Sequence, residues 1–433
     1  MEDVFRRIYG AMRTKAVRLY GREDLRLEEF ELPEPGEDEI LAEVVSDSAC
    51  MSTYKAYKMG PAHKRVPDDV AENPVIIGHE FCGKILRVGR KWQGEFEPGE
   101  RFSIQPAMNY RGSLAAPGYS YPNIGGDATY VVIPNEVMET GCLLRFSGDA
   151  YFYGSLAEPL SCVIGAFKAN YHVTQGSYVH RMGIVPGGNA AILAGVGPMG
   201  LAAIEYALEG PVKPKLLAVT GGYTGNDSKL RRAESLYPPE KAAEKGVELV
   251  FINGSDGNYT EKMKALTGGR GFDDVFCMAP VKQVVEEADS LLAKDGCLNF
   301  FAGPADPGFR AEFNFFNVHY AGTHVVGTSG GNNDDLRDAI DLMGRGVIDP
   351  AAMVTHIGGL GAVIGTIGEL PSIPGGKKLI YTHSDLPLVS LRDLGKFKDR
   401  YPVCGDLDEI VRAHGGLWCA EAEKRLLRET GED

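Results

Sequence analysis

Residues 190–208 read AAILAGVGPMGLAAIEYAL. An apolar run ends at Gly195, Gly197 and Gly200, and an alanine-rich helical pattern starts at once. The G-x-G-x-x-G spacing alone is weak evidence, because many glycine turns satisfy it. Closing a strand and opening a helix, it has the context that dinucleotide binding requires. The first glycine turns the chain, the second lets backbone approach a pyrophosphate, and the third lets helix and strand pack closely. The helix start at Pro198-Met199-Gly200 then offers a positive dipole end to phosphate, with unpaired N–H groups from Met199 and Gly200.

Working outward, further apolar runs alternate with helical stretches. They are KLLAVT (215–220), ELVFIN (248–253), DDVFCMA (273–279), GCLNFFAG (296–303) and THVVGT (323–328), with helical patterns at 200–209 and 281–294. Fully apolar strands alternating with helices imply a parallel sheet covered on both faces, a doubly wound Rossmann domain. Upstream, residues 15–46 alternate apolar and polar, and short strands recur to about residue 135. The first third is therefore mostly β. A helix follows at SLAEPLSCVIGAFKA (155–169), and two amphipathic helices are expected near the C-terminus.

The 433 residues are 44% hydrophobic and 24% charged, ordinary values for a globular chain of two or three domains. A net charge of −14 argues against nucleic acid as a partner. The eight cysteines form no C-x-x-C pair, which suits reduced thiols and a cytoplasmic home. Neither a signal peptide nor a membrane-spanning segment is expected.

After the second Rossmann strand, an acid normally meets the adenosine ribose hydroxyls. Here Gly221 and Gly222 stand there, with Asp227, Lys229, Arg231 and Arg232 downstream. One reading is that Lys229 and Arg231 accept a 2′-phosphate, so that NADP(H) is used. The other is that Asp227 loops back to the ribose, the cations are solvated, and NAD(H) is used.

The most informative segment outside the fingerprint is NPVIIGHEFCGKILRVG, with Gly78-His79-Glu80 between an apolar run and a new strand. Upstream, SDSACMSTYKAYK offers Cys50; downstream, LAEPLSC offers Glu158. A thiolate, an imidazole and one or two carboxylates suit a catalytic Zn²⁺ with an open position. Each residue alone is more often part of the core; the ordered set ahead of a Rossmann fingerprint is what points to a metal.

The order Cys50, His79-Glu80, Glu158, then GVGPMG, resembles the zinc-dependent medium-chain dehydrogenase/reductase family from residue 14 to about 383. CMSTYK, HKRVPDDVAENPVIIGHEFCG, GYSYPNIGGDATY, VVGTSGG, LPSIPGGKKLIYT and GLWCAEAEKRLL resemble its L-sorbose-1-phosphate reductase group. The resemblance implies an α/β fold: a GroES-like catalytic domain at 1–175 completed by 329–383, a Rossmann domain at 176–328, and a helical extension at 384–433. It implies one catalytic zinc on Cys50, His79 and either Glu80 or Glu158, acting as Lewis acid, with the carboxylates free to exchange. Ser52 falls where relatives keep a proton-relay hydroxyl. Three departures stand out. Residues 101–140 lack the cysteines that hold a structural zinc in many relatives, Lys55 replaces a histidine of the outer relay, and Gly221 replaces the ribose-binding acid.

The group reduces L-sorbose 1-phosphate to D-glucitol 6-phosphate, so a sugar phosphate is the expected substrate. Lys55, Lys64 and Arg65, with Lys58 and His63, form a candidate phosphate site in an otherwise acidic chain. A solvated surface loop is the plainer reading of that cluster. The alternatives are a dehydrogenase of an unphosphorylated polyol or L-threonine, and a zinc-free cofactor-binding protein on the same scaffold. A homo-oligomer built across GTHVVGTSGG at the Rossmann edge is also expected.

Overall fold

The computed structural model describes residues 12–222 and 228–431. The chain divides into two compact units, one of residues 1–158, 339–344 and 354–433, the other of residues 159–338 and 345–353.

The first unit carries strands β1 (Arg13–Gly21), β2 (Asp24–Glu31), β3 (Ile40–Ser48), β4 (Val75–Ile76), β5 (Phe81–Val88), β6 (Arg101–Ile104), β7 (Tyr130–Ile133) and β8 (Leu143–Arg145). Helix α1 (Met51–Met59) follows β3, and the long helix α2 (Tyr151–Ala169) leads out of the unit. In the second unit come β9 (Tyr171–Val173), β10 (His180–Met182), β11 (Asn189–Leu193), helix α3 (Pro198–Glu209), β12 (Leu216–Gly221), helix α4 (Ser228–Leu236), β13 (Glu248–Asn253), β14 (Phe272–Cys277), β15 (Leu292–Phe300) and β16 (His324–Val326). The chain then returns to the first unit with β17 (Val354–Gly359), β18 (Lys377–Tyr381), β19 (Val389–Ser390) and helices α5 (Val403–Ala413) and α6 (Ala420–Thr430). The segment 384–433 thus supplies an edge strand as well as the expected helices.

The second unit is a six-stranded parallel sheet in the order β13-β12-β11-β14-β15-β16. Crossovers step outward on one side of β11 and then restart on the other, which is the doubly wound arrangement. β11 and β14 are buried at every residue, so their apolar runs carry no alternation. The pattern at 281–294 resolves differently from the expectation. The helix ends at Ser290, and β15 already starts at Leu292. The register shift between Phe272 and Asp274, with Asp295 at φ 59°, absorbs the extra residues as a bulge.

In the first unit an eight-stranded sheet runs β19-β17-β18-β3-β5-β6-β8, with β7 also on β3. A three-stranded sheet β2-β1-β4 accompanies it. Ile40, Val44, Phe81, Ile85, Phe102 and Val131 fill one core of the unit. No helix of the described residues is long and apolar enough to cross a membrane.

Candidate metal and nucleotide sites

Three neighbouring strands deliver one cluster of side chains. β3 runs antiparallel to both β18 and β5, pairing Ser48 with Leu379 and Asp47 with Phe81. Cys50 follows the end of β3, Lys377 opens β18, and His79-Glu80 precedes β5. All therefore meet at one end of the sheet. Backbone bonds lock this end: Ser48 N donates to the Glu80 carbonyl (3.1 Å) and Ala49 N to the Lys378 carbonyl (2.9 Å).

The candidate ligand atoms of Cys50, His79 and Glu80 lie within 4.8 Å of one another. Cys50 caps α1, its sulfur accepting from Ser52 N at 3.5 Å. Burial pushes its thiol up to about 12, with Glu80 adding to the rise and Lys377 opposing it. The thiolate that ligates a metal is thus stable here only beside a further positive charge. Burial also holds the His79 imidazole down to about 4, keeping it neutral and able to ligate. Its Nδ1 lies 3.1 Å from Thr53 Oγ1 and its Nε2 3.2 Å from the Tyr119 hydroxyl. A half-buried thiol whose ionised form calls for a cation, a neutral imidazole and an ionised carboxylate fit a divalent zinc.

Burial alone would raise Glu80, but Lys377 and His79 outweigh it and hold the carboxyl below its usual range. Lys377 Nζ stands 2.6 Å from Glu80 Oε1, and the Ser48 hydroxyl donates to Oε2. Both groups of the ion pair are buried. Glu80 N is held by Asp47 Oδ1 at 3.1 Å. Asp47 is raised by burial and by the neighbouring Asp127, whose own carboxyl burial lifts to about 8. Glu158 is buried on α2 and helps to raise the Cys50 thiol and the Lys377 ammonium, yet it lies outside the 4.8 Å group.

Ser52 is partly buried on the first turn of α1, close enough to the Tyr119 phenol to oppose slightly the rise that burial gives that group. Tyr119 links the metal cluster to the cations. The His63 ring stacks on it at 5.7 Å, and the Arg65 guanidinium lies 5.6 Å above its ring. Burial, then Arg65, Lys64 and Lys55, depress His63 to about 4, so all three cations act on one imidazole.

Sequence reasoning missed Thr53, Tyr119 and Lys377 as members of the cluster. Tyr119 had no spacing signal. Lys377 had one: lysines opening a strand that runs on into Leu379-Ile380-Tyr381 must find buried partners.

In the second unit the fingerprint turn has the expected shape. A Cβ at Gly200 would lie 2.2 Å from the Gly195 carbonyl oxygen, so only glycine permits this approach of helix to strand. Gly197 caps α3 with open space beside it and no side-chain cap, and Pro198-Met199 open the helix. A Cβ at Gly221 would lie 2.5 Å from Val196 Cγ2, so Val196 fills the space that an acidic side chain would need. Lys229 and Arg231 are exposed on α4, Arg232 Nη2 donates to the Ala352 carbonyl at 2.8 Å, and Asp227 lies outside the described residues.

Comparisons with known proteins agree with this architecture. The alcohol dehydrogenase GroES-like domain matches residues 36–140, and the zinc-binding dehydrogenase domain matches residues 198–345. L-sorbose 1-phosphate reductase of Klebsiella pneumoniae is 53% identical over 96% of this chain and 97% of its own. Mannitol-1-phosphate 5-dehydrogenase of Aliivibrio fischeri is 47% identical over 96% of this chain and 97% of its own. The crystal structure of 2R,3R-butanediol dehydrogenase from Bacillus subtilis superposes with a TM-score of 0.67 at 22% identity, covering 85% of this chain and 99% of its own. Sequence identity of this extent over nearly the whole length places the chain in the zinc-dependent medium-chain dehydrogenase/reductase family, as an oxidoreductase.

Proposed function

We propose that the protein interconverts a ketose phosphate and the corresponding polyol phosphate, using zinc and NADP(H). The observations that carry the substrate class are that Lys55, Lys64 and Arg65 all act on the His63 imidazole, that this ring stacks on Tyr119, and that the Tyr119 hydroxyl lies 3.2 Å from His79 Nε2. A dianionic phosphate on those cations brings the rest of a sugar toward the metal cluster. The names of the two sugar-phosphate relatives support the same class.

Cys50, His79 and one carboxylate, Glu80 or Glu158, would hold the zinc. Bound there, zinc would polarise the substrate carbonyl and stabilise negative charge on its oxygen. The Ser52 hydroxyl, beside Tyr119, would hand a proton to that oxygen during reduction and take it back during oxidation. Lys377 keeps Glu80 ionised, and Thr53 orients the His79 ring. The preference for NADP(H) over NAD(H) is supported by Val196 occupying the acid's place at Gly221 and by Lys229 and Arg231 on the helix that follows.

We further propose a cytoplasmic homo-oligomer. Phe315, Phe316 and Tyr320 are 75%, 67% and 68% exposed on the helix before the edge strand β16, an apolar surface suited to a second copy.

The test is a screen of ketose phosphates against free ketoses with both cofactors, on protein of known metal content. For a Lys64→Ala/Arg65→Ala double variant, KM for the phosphorylated ketose should rise by about 10- to 100-fold. That is the range expected from losing charged hydrogen bonds worth about 1.5–3 kcal/mol. KM for a free ketose should hold. An unchanged KM for the phosphorylated substrate removes the phosphate site.

A further inference from the structure

The segment after residue 384 contributes one buried carboxylate to the first unit, and its partners are not in its own helix. Glu423, on α6, accepts from Tyr151 N and from Phe152 N (2.8 Å), two donors of the first turn of α2. The same carboxylate accepts from the Tyr381 hydroxyl at 2.9 Å, and Trp418 Nε1 donates to that hydroxyl at 2.7 Å. Glu423, Tyr381 and Trp418 are all essentially inaccessible, at 2%, 1% and 0% exposure. A helix start buried without a cap leaves its first N–H groups unpaired. Here the cap is supplied from more than 250 positions along the chain.

β18 carries Lys377, the counter-charge of Glu80, and α2 carries Glu158, the alternative carboxylate near the cluster. Glu158 lies two turns beyond Tyr151 on the same face of α2, since i, i+4 and i+7 align. Tyr381 and Lys377 are four residues apart on β18 and so share one face of the sheet. Two more bonds fix the start of α2: Ser46 Oγ donates to Ser155 Oγ at 2.8 Å, and Ser103 Oγ to the Gly154 carbonyl at 2.7 Å. Glu423 differs from these in joining α2 to β18, the strand whose Lys377 holds Glu80.

We infer that the C-terminal extension is a positioning device for the metal site: Glu423, backed by Tyr381 and Trp418, ties α2 to β18 and so sets where Glu158 and Lys377 stand. This rests on reading Cys50, His79 and the carboxylates as metal ligands. Loss of the tie should let α2 shift along its axis and carry Glu158 with it, while Cys50 and His79 stay beside the ends of β3 and β5.

The test uses the full chain loaded with Co²⁺, whose visible spectrum reports coordination geometry. A Glu423→Ala variant should bind Co²⁺ at least tenfold more weakly in chelator competition and show an altered d–d spectrum. Leu407→Ala, a cavity in the buried core of the extension on α5, serves as the control for lost stability alone. At a matched fall in Tm it should keep the wild-type affinity and spectrum. Glu423→Gln retains shape but can accept at one atom only; it replaces the alanine variant if that fails to fold, with the same direction expected. Wild-type affinity and spectrum in the Glu423 variant overturn the inference alone, as does an equal change in Leu407→Ala. A wild-type protein that takes up no cobalt overturns the metal reading and this inference with it.

Discussion

In the proposed function, Gly221 bears on cofactor choice through what stands next to it. In relatives with an acid at that position, the side chain reaches the ribose. Here a Cβ would meet Val196 at 2.5 Å, well inside van der Waals distance. Gly221→Asp alone should therefore lose about 1–3 kcal/mol of stability, the usual cost of overpacking, without gaining a preference for NADH. Gly221→Asp with Val196→Ala opens the space and should shift kcat/KM toward NADH. Chemical denaturation and kinetics with both cofactors check the two halves. Lys377 teaches the same lesson. Its place at the start of β18 calls for a counter-charge, and in the fold that partner is Glu80, whose carboxyl it holds below the usual range.

At the scale of elements, α2 and β18 depend on the carboxylate of Glu423. Burial raises this group from its ordinary 4.5 to about 7, although Tyr381 and the first-turn N–H groups of α2 oppose the rise. Its folded state therefore binds a proton more tightly than its unfolded state. The associated stability is fully present below about pH 4.5 and is lost as pH rises through about 7. A shift of that size corresponds to roughly 3 kcal/mol. Comparing urea unfolding of wild type and Glu423→Gln across pH 4 to 8 should show a downward slope in the wild type that the variant lacks. Parallel curves would mean that Glu423 stays ionised throughout.

For the whole molecule, the Rossmann sheet ends in the short edge strand β16, and the helix before it exposes Phe315, Phe316 and Tyr320. A soluble monomer rarely leaves such a surface open. Wild-type protein should sediment as a dimer or larger, and Phe316→Asp should shift it toward monomer at micromolar concentration. Analytical ultracentrifugation at several loadings reads both. A monomeric wild type would leave the edge without a partner of its own kind.

The amino-acid sequence by itself determined the two-part α/β architecture. Unbroken apolar strands separated by helices, and a fingerprint placed between strand and helix, allow few other folds, because both signals are local in the chain. It also named Cys50, His79 and Glu80, whose order carried the family likeness, and it placed Lys55, Lys64 and Arg65 in one short segment. Only the tertiary structure decided that Lys377 pairs with Glu80, that Tyr119 stands between His79 and Arg65, that Val196 closes the place of the missing acid, and that Glu423 caps α2. Each of these depends on strand register or on a contact between residues far apart in the chain. A buried charge must find its partner in space, and nothing in the local pattern around either residue says which one it will be.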